Sequence, residues 1–309
     1  MNTFGNRFRL TTFGESHGPA IGGVIDGCPA GLAVDYVLLE AEMTRRHVGA
    51  HATTRHESDN VEFLSGIYDG KTLGTPIAFI IRNSDARSSD YDGLDKLLRP
   101  GHADFTTLQR YGLRDPRGGG RASGRETAVR VAAGAIAKMI LNGKSISITA
   151  TASCGTPAEN DSTGGTIECT IEGVPAGLGN PIFDKLNARL AAAMMSIPSA
   201  IGFEMGTGFD AAQMRGSEFR DNWCVSDGHV ATTTNHCGGI QGGISNGMPI
   251  TFRTAFHPVV TIPQPTECLA PDHTLTTITP AGRHDRCHLP RTVVVVEAMA
   301  ALTIVDFVV

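Results

Sequence analysis

The chain carries part of itself twice. Residues 22–32 read GGVIDGCPAGL and residues 164–178 read GGTIECTIEGVPAGL, so that IDGCPAGL at 25–32 lies over IEGVPAGL at 171–178. Each copy reads as a strand, a Pro-Gly turn and then a helix, over 34–46 in the first case and 181–195 in the second. A weaker echo follows each: SGIYDGKTLGTPIAFIIRN at 65–83 and GGISNGMPITFRTAF at 242–256, a turn and then a strand. Self-similarity of this kind predicts one domain of two related halves, about 1–145 and 146–309, packed around a pseudo-twofold. Alternation and β-branched content add strands at 7–13, 146–152, 225–233 and 252–262, and helical periodicity adds 126–141 and 293–307. Residues 157–165 and 263–272 read as loops. The mixture predicts an α+β, layered architecture.

Bulk properties exclude several classes. Glycine accounts for 37 of 309 residues, against a usual share of about 7%; with apolar runs throughout, that means tight turns rather than disorder. A net charge of -5 argues against a general nucleic-acid binder. With one Trp and four Tyr there is little to stack bases upon. No run approaches 18 apolar residues, so no membrane span is expected. Residues 4–13 hold two arginines and no apolar core, so no signal peptide is expected. Seven scattered cysteines with no CxxC pair suit a reducing, cytoplasmic setting.

The most chemically informative stretch is RGGGRASGRETAVRVAAGAIAK at 117–138. Its glycines let a ligand approach the backbone, and a helix starting near Ser123 to Thr127 turns its unpaired N–H groups toward the same place. Arg117, Arg121 and Arg125 add positive charge. This predicts a site for phosphate or carboxylate. It is not a Walker loop, because no Gly-Lys-Ser/Thr follows; the alternative is a Gly-rich turn with solvated arginines.

Four further segments carry candidate chemistry. Gly14-Glu15-Ser16-His17-Gly18 matches G-x-S-x-G, but residues 19–27 read as a strand where a nucleophile elbow needs a helix. His17 is instead a candidate general acid. Arg99-Pro100-Gly101-His102-Ala103-Asp104 presents His102 on a turn, with Asp104 available to orient it. Gly282-Arg283-His284-Asp285-Arg286-Cys287-His288 crowds three possible metal ligands into one segment, with no second cluster to complete a set, and reads better as ligand-binding. Arg45-Arg46 ends the first helix, where the dipole favours solvated cations.

Taken together, five segments resemble the chorismate synthase family: GESHGPAIGGVIDGCP at 14–29, RPGHAD at 99–104, YGLRDPRGGGRASGRET at 111–127, GGIQGGISNG at 238–247 and GRHDRCHLPRTVVVVEAM at 282–299. They occur in the family's order and span nearly the whole chain. The resemblance implies that family's β-α-β sandwich, a homotetramer, reduced FMN, and conversion of 5-enolpyruvylshikimate 3-phosphate to chorismate by anti-1,4-elimination of phosphate without net redox change. It implies acid–base roles for His17, His102 and Asp285. It implies flavin contacts from Arg121, Ala122, Ser123, Pro198, Ser199, Gly242, His257, Pro258, Val259, Val260, Thr261 and Arg283, and substrate contacts from Ser16, Arg46, Arg99 and Arg125. Arg46 also resembles an arginine linked in the family to a nucleotide cofactor, NADP. No separate NADPH-binding domain is evident, so the flavin's reductant is expected to be external.

The chain departs from the family pattern where Arg45-Arg46-His47-Val48-Gly49 replaces Arg-Arg-Arg-Pro-Gly and Ala50-His51-Ala52 lacks a further basic residue. His257 and Ile201 stand in place of lysines, Arg286 in place of a proline, and the segment 152–166 is short. Three alternatives remain at this stage: a serine hydrolase using Ser16, a non-catalytic flavin- or phosphate-binding relative, and a structural oligomer with no site.

Overall fold

The computed structural model describes residues 1–47, 58–84, 97–226, 228–270, 272–280 and 285–309. Two antiparallel sheets enclose a layer of helices. The first sheet takes β1 (Thr3–Phe4), β2 (Arg9–Phe13), β3 (Ala20–Asp26), β4 (Val61–Phe63) and β7 (Ile77–Arg82) in the order β1-β2-β3-β7-β4, with β5 (Ile67–Tyr68) and β6 (Lys71–Thr72) as a hairpin beside it. The second takes β8 (Ser147–Cys154), β9 (Gly165–Glu172), β10 (Ala200–Met205) and β15 (Ile250–Phe256) in the order β10-β15-β9-β8. Three further hairpins follow: β11 (Trp223–Ser226) with β12 (His229–Thr232), β13 (Ile240–Gln241) with β14 (Ile244–Ser245), and β16 (Thr266–Leu269) with β17 (Leu275–Ile278). The helices are α1 (Tyr36–Thr44), α2 (Asp104–Tyr111), α3 (Thr127–Asn142), α4 (Leu186–Met195), the short α5 (Gly216–Phe219) and α6 (Leu289–Val308).

The strand orders β2-β3-β7-β4 and β8-β9-β15-β10 have the same sequence logic: first, second, fourth, third. A matching hydrogen-bond device recurs in the two Pro-Gly turns. Thr72 Oγ1 donates to the Pro29 carbonyl at 2.6 Å and accepts from Leu32 N at 3.0 Å. Ser245 Oγ donates to the Pro175 carbonyl at 2.6 Å and accepts from Leu178 N at 2.9 Å. In each case one hydroxyl from a neighbouring hairpin satisfies a turn's carbonyl and amide together.

Helices α3 and α6 form the centre. α3 packs on β2, β3 and β7, α6 packs on β8 and β9, and the two helices pack on each other. Both are buried almost all round, the state expected of a helix without a polar face. Their close approach needs Gly134, where a Cβ would lie 2.5 Å from that of Ala298. Within this layer Lys138 Nζ donates to Glu42 at 2.6 Å and to Glu297 at 2.7 Å, and Arg45 forks onto Glu297 at 2.6 and 2.7 Å. Two cations and two carboxylates cancel, which makes their burial tolerable.

Several boundaries differ from the sequence reading. The strand expected over 225–233 is the hairpin β11–β12, because the chain reverses there and an alternating pattern does not report reversals. The strand expected over 252–262 stops at Phe256, before Pro258, which has no N–H to continue a ladder. The loop expected over 263–272 contains β16. The helix expected over 34–46 begins at Tyr36, with Asp35 capping Leu38 N at 2.9 Å, and tightens at Arg45–His47 into a 3-10 turn. The helix expected over 181–195 begins later, at Leu186.

Candidate active site

Both central helices start at one cleft. Its volume is 1340 Å³, and its walls come from the β2–β3 connection, the Arg45–His47 turn, α2 and its approach, residues 118–127, the end of α4, the residues after β15 and the start of α6. The N-termini of α3 and α6 contribute Thr127 and His288, Arg291 and Thr292 to the lining, so two helix dipoles favour an anion here. A single small ligand usually fills about 300–1,000 Å³; this volume has room for two.

The floor is cationic and internally braced. Arg46 Nε donates to Asp59 Oδ2 at 3.0 Å and its Nη1 to Thr127 Oγ1 at 2.8 Å. Arg125 donates to the other oxygen of Asp59, to Asn83 Oδ1 at 2.9 Å and to the Arg82 carbonyl at 3.2 Å. Burial pushes the Asp59 carboxyl up, but Arg46 and Arg125 outweigh it and hold the group below its usual range. Two guanidiniums on one carboxylate leave a surplus positive charge at the cleft. Arg46 is therefore no solvated helix end: its side chain is largely covered, and desolvation lowers its pKa against the opposing pull of Asp59.

The histidines occupy different settings. His102 lines the cleft, and its Nε2 lies 2.7 Å from Thr261 Oγ1. Burial and then Arg99 lower its pKa to about 4, so the ring is neutral at pH 7. His17 stands behind the cleft wall. An added Cβ at Gly118 would come within 2.3 Å of its Nδ1, so only glycine at 118 lets the ring sit there. His17 Nδ1 is 3.0 Å from Ser16 Oγ. Ser16 is 1% exposed, and β3 follows it rather than a helix, which counts against a nucleophile elbow. His257, Pro258, Val259 and Val260 line the cleft with Pro198 and Ser199, and Val260 packs against Gly101 beside His102.

Other expectations change in detail. Asp104 does not orient His102: it is taken by Arg99, with Nε to Oδ2 at 2.8 Å and Nη2 to Oδ1 at 3.1 Å, because a guanidinium fork matches a carboxylate. Arg121 lines the cleft and reaches back to Thr12 and to the Gly14 carbonyl at 3.1 Å. Arg117 is outside the lining and pairs with Asp115 at 2.8 Å. The helix start near Ser123 is two 3-10 turns, Gly120–Ala122 and Gly124–Glu126, before α3. Ala122 and Ser123 line the cleft. Asp285 lines it too, with its Oδ2 accepting from Arg291 Nη2 at 2.6 Å. Gly242 lies on the β13–β14 hairpin, at the far end of β15 from His257, and is not in this chain's cleft. Arg283 and His284 lie outside the described residues. Of that segment's other metal candidates, Cys287 meets Cys154, and His288 Nε2 meets Ser199 Oγ at 2.6 Å.

Sequence reasoning missed Asp59, Asn83, Arg114, His288 and Arg291 as parts of this assembly. Asp59 sits in none of the family-like segments, and Asn83 only closes the weak echo at 65–83. Arg114, His288 and Arg291 lie inside the segments 111–127 and 282–299, and the last two, one helical turn apart at the start of α6, could have signalled a shared face.

A β-α-β sandwich whose two central helices begin at an arginine-lined cleft holding a neutral His102 defines an enzyme of small anionic substrates. A family model described as "Chorismate synthase" matches residues 8–158 and 154–309. The chain is 48% identical to the chorismate synthase of Parabacteroides distasonis over 348 aligned positions, covering 99% of this chain and 97% of the relative. It is 48% identical to that of Porphyromonas gingivalis, covering 99% and 95%. A crystal structure titled as chorismate synthase superposes with a TM-score of 0.78 at 30% identity, covering 98% of this chain and 92% of that one. The chain belongs to the chorismate synthase family. Aligning 309 residues over 348 positions leaves at least 39 without a counterpart here, and the two matched ranges meet at 154–158, where β8 runs into a short connection.

Proposed function

We propose that this cleft converts 5-enolpyruvylshikimate 3-phosphate to chorismate, a carbon–oxygen lyase reaction of aromatic amino acid biosynthesis, with reduced FMN as the flavin. The observation that carries the reading is the convergence of Arg46, Arg99, Arg121 and Arg125 with His102 and Asp285 on one cavity. The substrate bears two carboxylates and a phosphate, and guanidinium forks suit both groups.

The residues fit a flavin as well as the substrate. The volume exceeds one ligand's need, and Tyr111, Leu113, Pro198, Val259 and Val260 supply apolar surface for a flat ring. Arg121, Ala122, Ser123, Pro198, Ser199 and the residues His257 to Thr261 would hold the flavin. When bound, the reduced flavin supplies electron density to the breaking allylic C–O bond and recovers it, so no net redox change results.

The chain's own residues perform the remaining tasks. Arg46 and Arg125, fixed by Asp59, neutralise the departing phosphate. His17, bonded through Nδ1 to Ser16 and packed directly behind Gly118, is assigned to proton delivery toward the departing phosphate from behind the glycine-rich wall. His102, neutral and bonded through Nε2 to Thr261, keeps a proton beside the flavin. Asp285, oriented by Arg291, accepts the proton removed from the substrate carbon. Prebound geometry and excluded water account for much of the rate.

The chain is further read as one domain of two related halves, 1–145 and 146–309, supported by the repeated strand order and the paired hydroxyl devices. We also read it as a cytoplasmic homotetramer that takes reduced flavin from an external, NADPH-linked source. Among the described residues no helix is long and apolar enough to cross a membrane. Exposed Trp223, Val225 and Val230 share one face of the β11–β12 hairpin, a surface suited to a second copy. The deciding assay is anaerobic: photoreduced FMN and substrate are supplied, and chorismate and phosphate are measured. Equal release of both supports the reading; intact flavin binding with no turnover defeats it.

A further inference from the structure

Two cysteines that the reaction does not use lie against each other at the edge of the active site. Cys154 ends β8, and Cys287 stands between Asp285 and the start of α6. Although 133 positions apart in the chain, their Sγ atoms are 3.0 Å apart, and both are free thiols. Cys154 is exposed and Cys287 half-buried, so an oxidant reaches the pair from solvent; Cys28, Cys169 and Cys268 are buried.

The backbone around the pair is already tied together. Arg286 Nη2 donates to the carbonyls of Pro157 and Ala158, each at 3.2 Å, and Thr163 N donates to the Arg286 carbonyl at 2.9 Å. The short β8–β9 connection thus holds the segment that presents Asp285 and His288 to the cleft. The sulfurs sit where these two pieces of chain meet, so joining them requires little movement.

We propose that Cys154 and Cys287 form a reversible intramolecular disulfide, a thiol–disulfide site that fastens the β8–β9 connection to the Asp285 segment. With glutathione disulfide as oxidant the step balances. The Cys154 thiolate attacks one sulfur and releases one glutathione thiolate, leaving a mixed disulfide on Cys154. The Cys287 thiolate then attacks the Cys154 sulfur and releases the second glutathione. Two protein thiols lose two electrons and two protons, and one glutathione disulfide becomes two glutathione molecules. Partial burial, with the neighbouring sulfur, raises the Cys154 thiol to about 11, so the link forms slowly at pH 7 and faster toward pH 9.

The full chain is equilibrated anaerobically in buffers spanning reduced to oxidised glutathione, acid-quenched, alkylated and mapped as unreduced peptides. The expected result is one cross-link joining the Cys154 and Cys287 peptides within a single chain, reversed by dithiothreitol. It should be absent from Cys154→Ser and Cys287→Ser. The oxidised chain should melt higher, by on the order of 5 °C, because the link closes a long loop. Alkylation of both cysteines at every poise, or Cys154 joined only to glutathione or to another chain, would overturn the proposal. The peptide map of the unsubstituted chain decides the matter even if a variant does not fold.

Discussion

The guanidinium of Arg46 and the carboxylate of Asp59 meet at 3.0 Å on the cleft floor, one from the turn after α1 and the other from the approach to β4. Arg125 takes the other oxygen of the same carboxylate. The buried acid therefore sets the position of two cations that line the cleft.

Asp59→Asn should cost about 3 kcal/mol of stability, since it leaves the buried Arg125 and the largely covered Arg46 without their anion. Chemical denaturation measures this. The Asp59 carboxyl is held below its unfolded value. Its contribution is therefore full above the unfolded carboxylate value, near pH ~3.9, and is lost as pH falls through the lower folded value. A variant as stable as the parent, with the same acid limb, would remove Asp59 from this role.

His102 should stay neutral in the unliganded protein well below pH 6, because its pKa is lowered to about 4. Its folded value lies below the ordinary 6.5, so the unfolded chain binds the proton first. Stability associated with this ring is whole above pH ~6.5 and declines toward pH ~4. Ring-proton NMR reads the titration directly. His102→Ala should lower turnover by a factor on the order of 10².

Gly118→Ala should act on His17 without altering the histidine itself. The added Cβ would fall 2.3 Å from Nδ1 and displace the ring. Turnover should fall on the order of 10²-fold, as for His17→Ala, with the melting temperature changed far less than in Asp59→Asn. Steady-state kinetics beside thermal melting tests this, and a fully active Gly118→Ala enzyme would exclude His17 from proton transfer.

Arg121→Ala should weaken flavin or substrate binding by about 10- to 100-fold, the scale of one charge-assisted contact. Fluorescence titration with FMN and with substrate separates the two ligands. Unchanged affinity for both would place Arg121 in a purely structural role, through its bonds to Thr12 and Gly14.

Much of the fold was legible because its signals are local. The doubled Pro-Ala-Gly turns at 29–31 and 175–177 mark a repeat that needs no third dimension, and the α3 and α6 helices follow from their apolar content. The reversal inside 225–233 was not legible, since residues on both sides of the turn alternate as one strand would. The same limit governed charge. A carboxylate two positions after His102 looked like its partner, yet Arg99 captures it. Asp59 carries no motif, and acquires a role only when Arg46 and Arg125 arrive from elsewhere.

The sequence by itself determined the family, the layered α+β class and the candidate segments, most of which the fold brings to one cleft, because these depend on residue type, order and period. Tertiary structure alone decided which arginine meets which acid, that His17 sits behind Gly118, and that Cys154 touches Cys287. The physical reason is that ion pairing, close approach and burial depend on distances of a few ångströms between groups far apart along the chain, and only packing of the two sheets around α3 and α6 sets those distances.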